Sequence, residues 1–296
     1  MQDREKTFIC SLIKSGATDG IGDDGVLVTS DSVKFGYVVA SDAFFEDVHF
    51  KYTWGSLESL VEKCFIANLS DIYAMNAIPY FCLLTLVIPK DFKEVSRLAR
   101  IIANCTLKHG VKIIGGDTIT GDKLHFSLTL LGRAQKGKIL TRKGIKKGDI
   151  LGYVSPSSVL TYFNTQAFGK NIKTLKMALR FCKSRKIQSN TRFMKPILYP
   201  KMLLELNSIA RAGMDISDGI FMELTRLSNL NRLGFKIFKV KGDWFYSPEE
   251  YQMLYAVPIR KLRKMQNFAK KNRHKFTPFA KVVRGRFTEF KRNWHS

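Results

Sequence analysis

The stretch LESLVEKCFIANLSDIYAMNAIPYFCLLTLVIP, residues 57–89, decides how this chain folds. Its apolar positions Leu57, Leu60, Val61, Cys64, Ile66, Leu69, Ile72 and Ala74 recur at helical spacing. No glycine or proline interrupts them before Asn76, which predicts a helix over 57–76. Phe81–Val87 is then a short apolar run closed by Ile88-Pro89 and reads as a strand. Asp71 breaks the pattern. It stands beside Ser70 and directly before Ile72 on an otherwise apolar helix, where a carboxylate needs cations or donors to be tolerated.

Working outward, Gly25–Val28 and Tyr37–Ser41 read as two strands joined by a turn, Phe92–His109 as an amphipathic helix, and Val111–Ile114 and Leu124–Leu131 as further strands. The order ββαβαββ predicts an α/β or α+β domain. The glycine- and lysine-rich connection RAQKGKILTRKGIKKGD (133–149) marks a boundary, giving an N-terminal domain over 1–135 and a C-terminal domain over 136–296. The second half reads as a strand at 150–154, a helical stretch across 157–182, helices at 199–212 and 217–230, and a strand near 235–240. A helix at 248–254 and a basic helix at 259–274 follow.

With 45% hydrophobic and 25% charged residues over 296 positions, the chain is neither disordered nor fibrous. The longest apolar run, Tyr80 to Pro89, is half a membrane span, so no membrane partner is expected. MQDREKTFICSLIK mixes acids and bases ahead of a short apolar patch, unlike a targeting signal, and a cytoplasmic location is expected. The five cysteines form no CxxC pair and have no histidine cluster in sequence, which points to neither a disulfide framework nor a zinc site.

The net charge of +24 is uneven. Residues 1–130 hold 13 Lys/Arg against 16 Asp/Glu, and residues 131–296 hold 36 against 9, so the halves carry about −3 and +27. Such a field attracts polyanions, and a basic nucleic-acid-binding protein is one alternative. Solvated faces and an affinity for phosphorylated small molecules account for the charge more simply, because no RNP signature, KH-type clamp or Cys/His finger accompanies it. Nucleic acid is therefore not the expected partner.

Five acidic clusters stand at expected strand ends, turns and the odd helix position: Asp23-Asp24, Ser41-Asp42, Asp71, Asp117 and Asp215/Asp218. Oxygen-only sets without His or Cys suit Mg²⁺, whose coordination is usually completed by water and substrate phosphates. The phosphate-binding motifs in common use fail. Gly132 to Lys138 fits GxxxxGK, but Ile139 stands where a P-loop needs Ser or Thr. No HRD or DFG triplet is present either. The remaining donors are Gly115-Gly116-Asp117-Thr118, the Thr141-Arg142 pair, and Ser217 at an expected helix N-cap.

These motifs, in order, are IGDDGV (21–26), ASDAFFEDVHF (40–50), NLSDIYAMNAIP (68–79), IIGGDTITG (113–121), LTRKGIKKGD (140–149) and MDISDGI (214–220). The sequence resembles the thiamine-monophosphate kinase family, whose members carry IGDDxA, STD followed by GxHF, NLSDxAAMGAxP, xGGDTTR, LTRxGAxxGD and IDxSDGL. The resemblance implies a two-domain PurM-like architecture whose N-terminal domain pairs with that of a second copy to form a dimeric β-barrel. It also implies transfer of the ATP γ-phosphoryl group to thiamine monophosphate in the presence of Mg²⁺. By the same resemblance Asp24, Asp42, Asp71, Asp117, Asp215, Asp218 and Ser41 are metal ligands, with Asp71 and Asp42 at the centre of catalysis. Gly116, Asp117, Arg142 and Ser217 contact ATP, and His109, in place of a family tyrosine, stands with them. His49, Glu249 and Trp294 fall on substrate-binding positions. Two stretches depart from the family pattern: SPEEYQM (247–253) replaces GGEDYEL, and LGYVSPSSVL (151–160) lacks the usual glycines. Another ATP-dependent enzyme of the same superfamily, of the cyclo-ligase or selenophosphate synthetase type, is the other alternative.

Overall fold

The structure, a computed structural model, describes residues 4–16, 18, 22–29, 35–135, 139–156, 193–238, 245 and 247–287. After helix α1 (Arg4–Lys14), the first half lays down β1 (Val26–Val28), β2 (Phe35–Phe45), α2 (Leu57–Ala74), β3 (Ile78–Pro89), α3 (Val95–His109), β4 (Lys112–Gly121) and β5 (His125–Gln135). These strands form one five-stranded sheet in the order β1-β2-β5-β3-β4. Only β3 and β4, joined through α3, run parallel; the other neighbours are antiparallel.

Helix α2 starts because the Ser56 side chain accepts a hydrogen bond from the Ser59 N–H, satisfying one of the free donors of the first turn. It stops where Asn76 turns left-handed, at φ 61°. Between these ends it is buried on nearly every side, from Leu57, Leu60 and Val61 to Leu69, Ile72 and Ala74. One side covers β2 and β5, and the rest packs against α3 and the second half of the chain. Helix α3 has a single buried stripe, Leu98, Ile102, Cys105 and Thr106, and ends on Gly110 at φ 67°.

The second half contributes β6 (Ile150–Pro156), α4 (Pro200–Asn207), β7 (Ala212–Asp215), α5 (Ile220–Asn231), β8 (Gly234–Ile237), β9 (Met253–Val257), α6 (Leu262–Lys271) and β10 (His274–Val283). Its five strands run in the order β7-β9-β6-β10-β8, every pair antiparallel. Both faces of this sheet are covered. Along β9, Met253, Tyr255 and Val257 point into a large core shared with α2 and α4, while Leu254 and Ala256 point into a second core with Phe221, Leu224, Phe245 and Phe279. The first sheet is covered on one face only, so β3 buries Cys82, Leu84 and Leu86 and exposes Leu83 and Tyr80.

Three expectations for the second half are corrected. The expected helix at 248–254 is instead the approach to β9. MLYAV is apolar throughout because its strand is buried on both faces, and a short apolar run carries no period to separate strand from helix. The helix expected over 199–212 ends at Asn207, and Ala212–Asp215 pairs with β9. The basic helix over 259–274 is a 3₁₀ turn, Ile259–Lys261, followed by α6, and the strand β10 after it was not expected. Pro278 hides β10 in the sequence; it sits at the register shift between Pro278 and Ala280, where a proline is tolerated. The helical stretch expected across 157–182 lies outside the described residues.

Candidate metal and phosphate site

Three carboxylates from distant parts of the chain converge. Asp24 lies in the turn before β1, Asp71 on α2 and Asp215 at the end of β7, and one oxygen of each lies within 4.8 Å of the others. The helix anomaly read from sequence is thereby explained: α2 carries Asp71 to the seam where the two halves meet. The neighbouring Ser70 hydroxyl donates to Asp215 Oδ2 at 2.7 Å, so one turn of α2 supplies both a ligand oxygen and the group that orients another.

The described part of the linker, 139–149, is threaded into this seam rather than exposed as a tether. The Leu140 N–H donates to the Met75 carbonyl, the Gly213 N–H donates to the Thr141 carbonyl, and Leu140 is buried. This holds Arg142 over the turn at 23–24. Its backbone N–H donates to Asp23 Oδ1 at 2.9 Å, and its guanidinium pairs with Asp24 Oδ1, with Nε at 3.1 Å. The Asn231 amide fixes the bend by donating to the Arg142 carbonyl and accepting from the Gly144 N–H.

The charge balance of the cluster is unfavourable as it stands. Burial pushes the Asp24 carboxyl up to about 6 in spite of Arg142. Burial also holds Asp71 and Asp215 well above the usual carboxylate range, with Asp42, Asp215 and Asp24 repelling Asp71 further. Asp42, on β2, is raised by burial and hydrogen-bonds Asp71, which offsets part of that rise. Asp24 Oδ2 and Asp215 Oδ1 are buried and have no hydrogen-bond partner among the described residues. Closely spaced carboxylates with one guanidinium and two orphaned oxygens fit a hard divalent cation, which takes oxygen ligands and removes the repulsion.

Next to this cluster lies a second one, in which two acids are bridged by one guanidinium. Arg226 on α5 bridges Asp218 and Glu223, contacting Glu223 at 2.9 Å. Glu223 also accepts from the Asp218 N–H at 3.1 Å and the Ser217 hydroxyl at 3.4 Å. The Ser217 carbonyl in turn accepts from the Glu249 N–H at 2.6 Å. Glu249 stands in left-handed backbone, φ 52°, and its carboxylate meets the ammonium of Lys63 at 2.5 Å. Lys63 is fully buried on α2, with its ammonium 3.2 Å from the centroid of the Phe193 ring.

Other residues singled out in sequence are placed as follows. Gly116 is on β4 at φ 140°, and a Cβ there would come within 1.8 Å of the Leu84 carbonyl oxygen, so only glycine fits. Asp117, beside it, is exposed and accepts from its neighbour's N–H (Thr118) at 2.8 Å, outside the three-carboxylate cluster. Ser41 shares a hydrogen bond with Thr129 across β2 and β5. His49 Nδ1 accepts from the Phe45 N–H at 3.0 Å, and its ring stacks on Phe44. His109 is turned toward Glu62, 2.9 Å from Nε2. Trp294 lies outside the described residues. Sequence reading missed Lys63, Ser70, Glu223, Arg226 and Asn231. Glu223 carried a signal, an acid in the first turn of an apolar helix right after SDG. Lys63 carried none, since a lysine inside a helical period reads as a solvated position.

Residues 22–134 match the family described as "AIR synthase related protein, N-terminal domain". The thiamine-monophosphate kinase of Bacillus subtilis is 29% identical over 229 residues, covering 74% of this chain and 66% of the relative. That of Buchnera aphidicola from Acyrthosiphon pisum is 28% identical over 283 residues, covering 87% and 82%. Among solved structures, one described as "AaThiL complexed with AMPPCP and TMP" superposes with a TM-score of 0.75 at 19% identity, covering 99% of this chain and 98% of that one. This last likeness is one of fold, and it gives the chain a PurM-like mixed α/β architecture.

Proposed function

We propose that this chain is a thiamine-monophosphate kinase, transferring the γ-phosphoryl group of ATP to the phosphate of thiamine monophosphate to give thiamine diphosphate and ADP. The observation that carries the reading is the convergence of Asp24, Asp71 and Asp215 within 4.8 Å, with two buried oxygens that have no hydrogen-bond partner among the described residues. The ordered match of six motifs and the similarity to curated thiamine-monophosphate kinases support the same reaction.

In this proposal Asp24, Asp42, Asp71 and Asp215 would hold Mg²⁺, and the family resemblance adds Ser41, Asp117 and Asp218 to the set. Bound Mg²⁺ supplies charge neutralisation for phosphates that otherwise repel one another. Arg142, Ser217 and the backbone at Gly116–Asp117 position ATP; the glycine lets the phosphates approach the strand closely. The family resemblance assigns His49, Glu249 and Trp294 to thiamine monophosphate. An oxygen of its phosphate attacks the γ-phosphorus, the bond from that phosphorus to the β-bridging oxygen breaks, and ADP leaves with the electron pair. The attacking oxygen is already ionised near pH 7, so no general base is required. His109 is assigned no contact with the nucleotide, because its ring is engaged by Glu62.

The same reading divides the chain at the linker into 1–135 and 136–296, places the enzyme in the cytoplasm, and makes it a homodimer. The uncovered face and edge of the first sheet support the dimer, since Ile78, Tyr80, Leu83, Ile113, Ile114 and Ile119 are all exposed there. Apolar exposure of this extent along a sheet edge marks an interaction surface, and closure against a second copy into a barrel removes the edge. The test is product analysis with ATP, Mg²⁺ and thiamine monophosphate, following ADP, AMP, inorganic phosphate and thiamine diphosphate together. Equal amounts of ADP and thiamine diphosphate are expected; release of inorganic phosphate without thiamine diphosphate would reassign the acceptor.

A further inference from the structure

A second group of metal-ligating side chains stands outside the carboxylate site. Glu62 on α2 and Cys105 and His109 on α3 each offer one ligand atom, and the three atoms lie within 4.8 Å of one another. The i, i+4 spacing of Cys105 and His109 puts both on one helix face. The packing of α3 on α2 brings Glu62 opposite them. His109 Nε2 is 2.9 Å from Glu62 Oε1, and Cys105 Sγ is 3.6 Å from Glu62 Oε2. With metal–nitrogen and metal–oxygen bonds of about 2.0–2.2 Å and metal–sulfur bonds of about 2.3 Å, a tetrahedral centre needs ligand atoms roughly 3.3–3.7 Å apart. The three ligand atoms, all within 4.8 Å of one another, need to move by about 1 Å or less to reach it.

We propose that Glu62, Cys105 and His109 form a site for a divalent transition metal of the zinc class, with one coordination position open. A thiolate, an imidazole and a carboxylate are a borderline-soft set, unlike the oxygen-only set around Asp71, so the two sites select different cations. They are also separate in space. Glu62 precedes Asp71 by nine residues, about 14 Å along the helix. The sequence shows no zinc motif because the third ligand comes from another helix. In the metal-free protein burial and the nearby Glu62 keep the Cys105 thiol protonated, while hydrogen bonds from His109 and Lys108 hold Glu62 ionised, at about 2, against the effect of its burial. Metal binding displaces the thiol proton and the exposed Lys108 ammonium, now 2.7 Å from Glu62. A cation there ties the last turn of α3 to α2. That turn leads through Gly110 and Val111 into β4, which carries Gly116 and Asp117.

The test is a Co²⁺ titration of the whole protein in excess Mg²⁺, which keeps the oxygen-ligand site filled. One equivalent of Co²⁺ should bind with a thiolate-to-cobalt charge-transfer band and intense tetrahedral d–d absorption. The signal should persist in Cys10→Ala, which removes the exposed cysteine, and vanish in Cys105→Ala. Glu62→Gln should weaken Co²⁺ binding by roughly tenfold or more, and Zn²⁺ should raise the melting temperature of the wild type but not of Cys105→Ala. No thiolate band in the wild type, or a band that survives Cys105→Ala, overturns the site. If Cys105→Ala does not fold, Glu62→Gln decides alone, and unchanged Co²⁺ affinity there overturns it.

Discussion

The clusters around Asp215 and Asp218 are three residues apart in the chain and differ in how their acids are bridged. At Asp218 and Glu223, two buried acids share the guanidinium of Arg226, and the Asp218 N–H and Ser217 hydroxyl both donate to the Glu223 oxygen, Oε1, that Arg226 also reaches. At Asp24, Asp71 and Asp215 three carboxylates share the single Arg142, and two buried oxygens are left without partners among the described residues. Two acids bridged by one guanidinium are tied to each other by the fold, whereas three carboxylates beside one guanidinium that pairs with Asp24 alone leave a demand for a cation that a ligand meets. The site is therefore legible from a deficit of charge more than from the presence of acids.

Four experiments break or sharpen this contrast. The largest effect belongs to Asp71→Asn, which removes a ligand and relieves repulsion. It should lower kcat by on the order of a hundredfold or more while leaving the metal-free melting temperature unchanged or raised. Activity assays with melts in EDTA check both halves. Arg226→Met does the reverse, leaving Asp218 and Glu223 buried without their cation; it should cost about 3 kcal/mol of stability by denaturant unfolding.

Acidity provides the third comparison. A carboxyl raised in the folded state binds its proton more tightly there than in the unfolded chain. For Asp24, raised from 3.8 to about 6, the metal-free protein should lose stability as pH rises between these values and level off above them. The raised Asp71 and Asp215 act in the same direction and extend the loss upward. Melts in EDTA from pH 5 to 8 should show this decline, and Mg²⁺ should reverse it at the upper end. The smallest effect on stability, within about 0.5 kcal/mol, is expected for Leu83→Lys on the uncovered face of the first sheet. In sedimentation it should convert a dimer to a monomer.

The first half was readable in sequence because its sheet is covered on one face. The apolar run of β3, closed by Ile88-Pro89, and the helical spacing of apolar residues along α2 are visible in the sequence, and the ββαβαββ order follows from them and their neighbours. The second sheet is buried on both faces, so β9 shows no alternation; its first two residues fell in the helix expected at 248–254, the rest of it went unread, and β7 and β10 went unseen. The site behaved similarly. Asp71 was conspicuous as an acid on an apolar helix, and the IGDD and SDG turns were conspicuous as clusters. The partners that complete them, Ser70, Asn231 and the Lys63–Glu249 pair, lie at least 89 residues in sequence from the site residues they touch. Only folding brings them together.

The most direct test of the central claim is Mn²⁺ binding, read by electron paramagnetic resonance with ADP present, in the wild type, Asp71→Asn and Arg226→Lys. The account predicts tight Mn²⁺ binding by the wild type and by Arg226→Lys, and its loss in Asp71→Asn with the circular dichroism unchanged. Equal binding by all three proteins would contradict it, since the unbalanced carboxylates would then have no cation to hold.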